Sequence, residues 1–253
     1  MTLSTGLILT VAIVLASLLG LVGARRWLKT THLKTQHDIA DPYSQFVAML
    51  FAVLLGFMVA DSMQRFGDAR RTVQEEASAL GDVYRLSEGL PKAQCEQIRA
   101  LCVSYATEVI QDEWPKMATK QESEKVWDVY RQLWSATTTY EPVTQRQSNA
   151  QQGLLAAMHS VGDNRRLRVE ALHTGLPIEL WVVLGLGGFS TILFTYFFGA
   201  ENFRIQMIMV AMVSLVICLN LFLLATYDDP FSGDVKITSS AFEKQLMLYA
   251  KDK

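Results

Sequence analysis

Cysteine is scarce in this chain, and none of it is arranged for chemistry. Cys95, Cys102 and Cys218 are the only three in 253 residues. Cys95 and Cys102 lie seven apart in a helical pattern, roughly 10 Å along the axis, too far to bridge. Cys218 falls inside an apolar run. All three are expected to be thiols. Absent too are C-x-x-C, H-E-x-x-H, G-x-S-x-G and P-loop strings, each of which would mark a reaction or a ligand. With no nucleophile–base pair, metal cluster or phosphate loop to assign, an enzyme is the least supported class and no resident cofactor is expected. An excess of basic charge is also missing. The net charge of −2 leaves no bulk attraction for nucleic acid, which is not expected as a partner. No internal repeat, low-complexity tract or strand alternation is visible.

What is there is long apolar runs. The chain is 50% hydrophobic yet 19% charged, which points to membrane spans combined with a sizeable water-facing part. Residues 178–198 carry charge only at Glu179, near their start, and residues 205–225 carry none. A run of about 18 or more apolar residues can cross a hydrocarbon core roughly 30 Å thick. The backbone polar groups of such a run are satisfied inside the bilayer by a helix. The six residues between these two runs make them an antiparallel helical hairpin. Residues 3–23 form another run. A cleavable signal peptide is the rival there, since Val22-Gly23-Ala24 loosely resembles a cleavage site. The first six residues lack Lys and Arg and the run is long for a signal, so a retained span is expected. Residues 45–60 form the second run in chain order, interrupted by Asp61.

The stretch 64–176 reads as a water-facing helical domain. Val73, Ala77, Leu80 and Tyr84 recur at helical spacing, so one helix is expected to continue from the second span to about Gly89. Pro91 breaks it. Ile98, Leu101, Cys102, Tyr105 and Val109 give a further helix ending near Trp114-Pro115. Val126 to Trp134 give another, and 147–171 give the last, with Leu154, Leu155, Met158 and Val161 on its apolar side. Pro177 suits a first helical turn. The expected fold is all-α: four transmembrane helices with a helical extramembrane domain inserted between spans two and three. The divisions are 1–63 for the first two spans and their basic link, 64–176 for the water-facing domain, 177–227 for the hairpin and 228–253 for a C-terminal tail.

Charge near the spans does not orient the chain. Arg25, Arg26, Lys29 and Lys34 favour a cytoplasmic first link, whereas Arg65, Arg70, Arg71, Arg165, Arg166 and Arg168 flank the helical domain, whose length weakens the rule. Trp27 and Trp181, near span ends, read as interfacial anchors. Arg165, Arg166 and Arg168, flanked by His159 and His173, read as a solvated face touching lipid headgroups or, second, as a pH-responsive patch. Trp127, Tyr130 and Trp134 read as packing core. Asn220 reads as an interhelical hydrogen-bond partner.

Several short strings together resemble a family. Leu55-Gly56-Phe57-Met58-Val59, followed by Arg65-Phe66, looks like the second membrane helix of bestrophins. Asp229-Pro230-Phe231-Ser232-Gly233 resembles the segment after their last span. The run Glu75-Glu76-Ala77-Ser78-Ala79-Leu80, then Leu90-Pro91, Asn164-Arg165-Arg166, Leu176-Pro177 and Trp181, is similar to the bacterial bestrophin-like membrane domain family, over roughly residues 40–240. The resemblance implies an oligomeric ion channel, with chloride or another anion as the ion and five copies in the ring. It implies a bacterial inner membrane with 64–176 cytoplasmic, lipids and small inorganic ions as partners, and a pore lined by the second span. Aligned on Gly56, the constriction falls on Met49, Val53 and Phe57, which do share one helix face. Five such faces would make an apolar gate. Those three residues read equally as lipid-facing or packing side chains.

The sequence also departs from the bestrophin pattern. Val53 is smaller than the family's middle residue, and the first link is basic where the family topology places it outside. Asp61 and Asp68 would form acidic rings that repel anions. Asp61 reads either as a pore rim or as a carboxylate at the interface. Asp228, Asp229 and Asp234 are candidate cation ligands. Ca²⁺ wants six to eight hard oxygens, more than these supply, and the bestrophin calcium site is a denser acidic run, so a solvated turn is the plainer reading and no metal is assigned. The rival to a channel is a membrane-anchored scaffold or sensor whose 64–176 domain binds partners.

Overall fold

The structure, a computed structural model, describes residues 2–27, 37–197 and 202–252, excluding the side chains of Trp27 and 37–41. Lys29, Lys34 and residues 199–201 of the hairpin connection lie outside the described residues, as does the Trp27 side chain. Helices dominate and no strand occurs among the described residues: α1 (Leu3–Trp27), α2 (His37–Leu86), α3 (Lys92–Glu108), α4 (Glu124–Thr138), α5 (Gln145–Glu170), α6 (Ile178–Phe197), α7 (Phe203–Tyr227) and α8 (Ser240–Lys251). Four stretches are long and apolar enough to cross a membrane: Leu3–Arg26, Pro42–Gly89, Ile178–Phe197 and Phe203–Tyr227. The all-α, four-span reading therefore stands. The chain forms two compact units, one of residues 1–65 and 176–229, the other of 66–175 and 230–253.

In the first unit, close packing rests on small residues, as expected where lipid is as apolar as the side chains and no hydrophobic force drives helices together. A methyl group on Gly6 would run into the Phe222 ring of α7, and one on Gly187 of α6 would meet the Phe51 ring of α2 at 2.5 Å. Tyr196 donates to the Ser17 carbonyl of α1 at 2.7 Å. The buried core is Phe51, Leu55, Leu184, Ile217 and Leu224. Trp181, partly buried, packs against it. Asn220 donates to the Val216 carbonyl of its own helix at 2.9 Å. The carbonyl one turn back competes for such a side chain, and among the described residues this local bond is the one Asn220 makes.

In the second unit, α2 continues to Leu86, a 3-10 turn covers Ser87–Gly89, and Pro91 opens α3. A π-helical turn at Val109–Glu113 interrupts the next stretch before the short helix Trp114–Met117. Ser123 caps α4 by accepting from the Val126 N–H. Thr144 and Gln147 form a reciprocal capping box on α5, satisfying two amides that the helix itself leaves open. Residues 230–252 belong to this unit. Gly233 turns the chain with a φ of 83°, a conformation glycine adopts without steric cost. Phe231 then meets Trp114 edge-on at 6.0 Å, Phe242 is fully buried, and Tyr249 stacks on Tyr84 at 4.1 Å. None of the three cysteines is in a disulfide.

Candidate pore helix and its rim

The membrane part of α2 is apolar all round, so its sequence does not say which face its own bundle covers. Phe51 and Leu55 are buried, and Leu54, Met58 and Val59 pack beside them. Met49 is 68% exposed, Val53 49% and Phe57 67%. The three are thus presented on a face that the chain's own core leaves uncovered. Spaced four apart, they form a strip roughly 12 Å long. Gly56 stands in open space beside it.

Asp61 is the next member of that row, and its side chain is 55% exposed. The Arg65 guanidinium approaches it at 3.1 Å and turns inward, 27% exposed, to Ser62 at 2.9 Å and Asp228 at 3.6 Å. Asp228 also accepts from the Leu176 N–H at 2.7 Å, just before α6. Its Oδ1 thereby links the start of α6, the end of α7 and Arg65. Asp229 belongs to the same unit and Asp234 to the other. Among the described residues no group of three or more His, Cys, Asp or Glu side chains could hold a metal ion.

Sequence reasoning missed the densest charge cluster. Arg165 and Arg168 do not line a solvated face: they are 6% and 0% exposed, and Arg166 alone of the three is at the surface. Arg168 donates through Nε to Glu76 Oε2 at 2.6 Å, and through Nη2 to Glu76 Oε1 at 3.0 Å and Glu113 Oε2 at 2.7 Å. Arg165 Nη2 donates to Glu113 Oε1 at 2.7 Å, and the Tyr105 hydroxyl donates to Glu76 Oε1 at 2.6 Å. The cluster holds two carboxylates and two guanidiniums and is neutral overall. Buried charge survives only when paired and hydrogen-bonded in this way. Burial pushes the Glu113 carboxyl up, but the Arg168 and Arg165 guanidiniums pull it further down, so it sits below its usual value. Burial, reinforced by the Glu76 charge, pushes the Tyr105 hydroxyl well up. At the surface, hydrogen bonds from Lys116 and Ser123 hold Asp112 at about 2.

A signal for this cluster was present in the helical phase. Leu154, Met158, Val161, Arg165, Arg168 and Leu172 alternate steps of four and three, as do Ala69, Val73, Glu76, Leu80 and Val83, and every one is buried. The charged members occupy the core-facing phase of their helices. Trp127 departs in the opposite sense, since it is 46% exposed rather than core. The neighbouring positions Val126 and Leu133 fill the interior of α4 instead.

The sequence of the bestrophin-like domain matches residues 11–242. The chain belongs to the bestrophin-like domain family. Solved structures agree on the fold. A point mutant of a bacterial bestrophin homologue from Klebsiella pneumoniae superposes with a TM-score of 0.72 at 12% identity, covering 94% of this chain and 99% of that one. A second mutant of that homologue gives 0.70 at 14% identity over 95% and 98%. No curated protein matches the chain. This bestrophin-like protein is a multi-pass membrane protein with the bestrophin fold.

Proposed function

We propose that copies of this chain assemble into a closed ring, five in number as the bestrophin likeness implies, and that α2 of each copy lines a central ion pore. The observation that carries this reading is the uncovered apolar row Met49–Val53–Phe57, which faces away from the core of its own unit. Repeated around an axis, such a row makes a hydrophobic constriction that gates by dewetting. Asp61, at the end of the row and more exposed than Arg65, sets the sign of the permeant ion. Family likeness favours an anion; a ring of Asp61 carboxylates favours a cation. The ring sits in a bacterial cell membrane with residues 64–176 on the cytoplasmic side, the orientation of the bestrophins it resembles. Burial of Arg165 and Arg168 removes two of the arginines that complicated the charge rule.

Flux of chloride against potassium in liposomes, wild type beside Phe57→Ala, tests the proposal, with native mass measurement on the same preparation. A ring whose flux rises when Phe57 is truncated is the expected result. A monomer overturns the pore. A folded ring that conducts in neither form favours the scaffold reading for residues 64–176.

A further inference from the structure

The second unit carries an open groove between α4 and α5, with a volume of about 730 Å³, inside the range of small-ligand sites. Its wall is a ladder of rings. Trp127 and Tyr130 are near-parallel at 5.5 Å, and Tyr130 and Trp134 follow at 6.4 Å. Gly162 of α5 has no side chain, and the Tyr130 hydroxyl occupies the place where a methyl group would stand. Among the charged residues that line it, Arg165 and Glu122 keep hydrogen-bonding capacity unused. Arg165 is 92% buried, its side chain being 8% exposed. It spends Nη2 on Glu113, while its Nε is buried with no partner and its Nη1 makes no hydrogen bond to a described residue. Its guanidinium lies 5.4 Å from the Trp127 ring. Of the two carboxylates that line the groove, Asp163 is held by Arg166, and Glu122 forms no ion pair with any described residue. A second cavity of about 280 Å³ is lined by the same Glu122, Trp127 and Arg165. No ion pair joins Glu122 to Arg165 themselves.

An uncommitted carboxylate and an under-used, buried guanidinium on one aromatic wall are what a zwitterion with an apolar body requires. We propose that this groove binds a free amino acid with an aromatic side chain. The ligand carboxylate accepts from Arg165 Nη1, a charge-assisted bond in a partly dry setting. The ligand ammonium pairs with Glu122, and its ring lies against the Trp127–Tyr130–Trp134 wall, where ring–ring contact adds to burial. A plain anion leaves Glu122 facing negative charge, and a plain cation offers no acceptor to Arg165 Nη1, so both bind less tightly than the zwitterion.

The test is calorimetric titration of the full-length protein in nanodiscs with L-phenylalanine, 3-phenylpropionate, phenethylamine and L-alanine. Arg165 belongs to the buried charge cluster, so Glu122→Gln and Trp127→Ala at the groove surface are the variants used. L-phenylalanine is expected to bind saturably, with each of the other three weaker by about tenfold or more, the factor that one lost charge-assisted bond or ring contact is worth. Glu122→Gln is expected to weaken L-phenylalanine about tenfold while leaving 3-phenylpropionate unchanged, a split that mere loss of packing does not produce. Trp127→Ala weakens every aromatic probe. Absence of saturable binding to folded wild type, whether because the groove has no such affinity or because a neighbouring copy covers it, overturns the proposal. So does a Glu122→Gln variant that loses L-phenylalanine and 3-phenylpropionate equally.

Discussion

Asp61 and Glu76 stand fifteen residues apart in sequence on one helix, α2, and their fates are opposite. Asp61 is 55% exposed and meets Arg65 at the edge of the membrane unit. Glu76 is fully buried and accepts from Arg168 twice and from Tyr105 once. Both are carboxylates with an arginine partner, so pairing alone does not distinguish them. The surroundings do. Asp61 is left more than half open by its own chain, and its charge is not enclosed. Around Glu76 every oxygen is committed, and its charge serves only to hold α2, α5 and the π-helical turn together. An exposed ion pair of this kind adds little to stability, whereas the buried one acts on whether the helical unit folds.

The sharpest way to break this contrast is at Arg168. Arg168→Met leaves Glu76 and half of Glu113 buried without their cation. Removing one partner of a buried pair costs about 3–5 kcal/mol, a large fraction of what a domain has in hand. The variant is expected to lower the thermal midpoint sharply or to fail to fold. Replacing Glu76, Glu113, Arg165 and Arg168 together with apolar residues of matched volume should recover much of the loss. If Arg168→Met alone is neutral in a thermal melt, the cluster is not what holds the unit.

Protonating one member is a milder insult than deleting one. Glu113 sits below its ordinary value near 4.5 because of the two guanidiniums beside it. A depressed carboxyl contributes stability that is complete above the unfolded value and is lost as pH falls through the folded one. The midpoint should therefore hold from neutral pH to about 5 and fall below that, more steeply in wild type than in Glu113→Gln. Identical acid profiles for the two would remove Glu113 from the acid response.

How much of this was legible in the sequence depends on the kind of signal. The spans were readable because apolar length alone decides them. The helical unit was readable because Val73, Ala77, Leu80 and Tyr84 keep helical phase, and all four are buried. The charge cluster was missed because Arg165 and Arg168 fall in an arginine run with Arg166, and such runs are usually solvated. Their partners lie 52 to 92 residues away, one of them on a π-helical turn that no local pattern announces. The phase of Leu154, Met158 and Val161 carried the information, and composition masked it. The face of α2 that lies open was unreadable for a different reason: Met49, Phe51, Val53, Leu55 and Phe57 are all apolar, so periodicity has nothing to contrast.

Asp228 lies between the extremes of the comparison. Its side chain is 19% exposed, accepts from the Leu176 N–H and faces Arg65. Asp228→Ala removes a charged acceptor from a half-buried amide, worth about 1–3 kcal/mol. A thermal melt of the protein in detergent should show a loss of that order, unaffected by added calcium. A calcium-dependent stabilisation of wild type that vanishes in the variant would instead make Asp228 a metal ligand.

Asp61→Asn has the smallest expected effect on stability and is the most informative about conduction. An exposed pair such as Asp61–Arg65 is worth about 0–1 kcal/mol, less at high salt, so melts of Asp61→Asn and wild type should nearly coincide. Conduction should not coincide. If the carboxylates ring the end of an apolar pore, neutralising them removes one negative charge per copy from the path, and reversal potentials measured in a salt gradient should move toward chloride. Arg65 is turned inward to Ser62 and Asp228, so the variant does not simply expose a compensating cation on the same face. A stable ring whose reversal potential is unmoved by Asp61→Asn would take Asp61 out of the ion path. The selecting charge would then have to lie on a face of the chain other than the row Met49–Val53–Phe57.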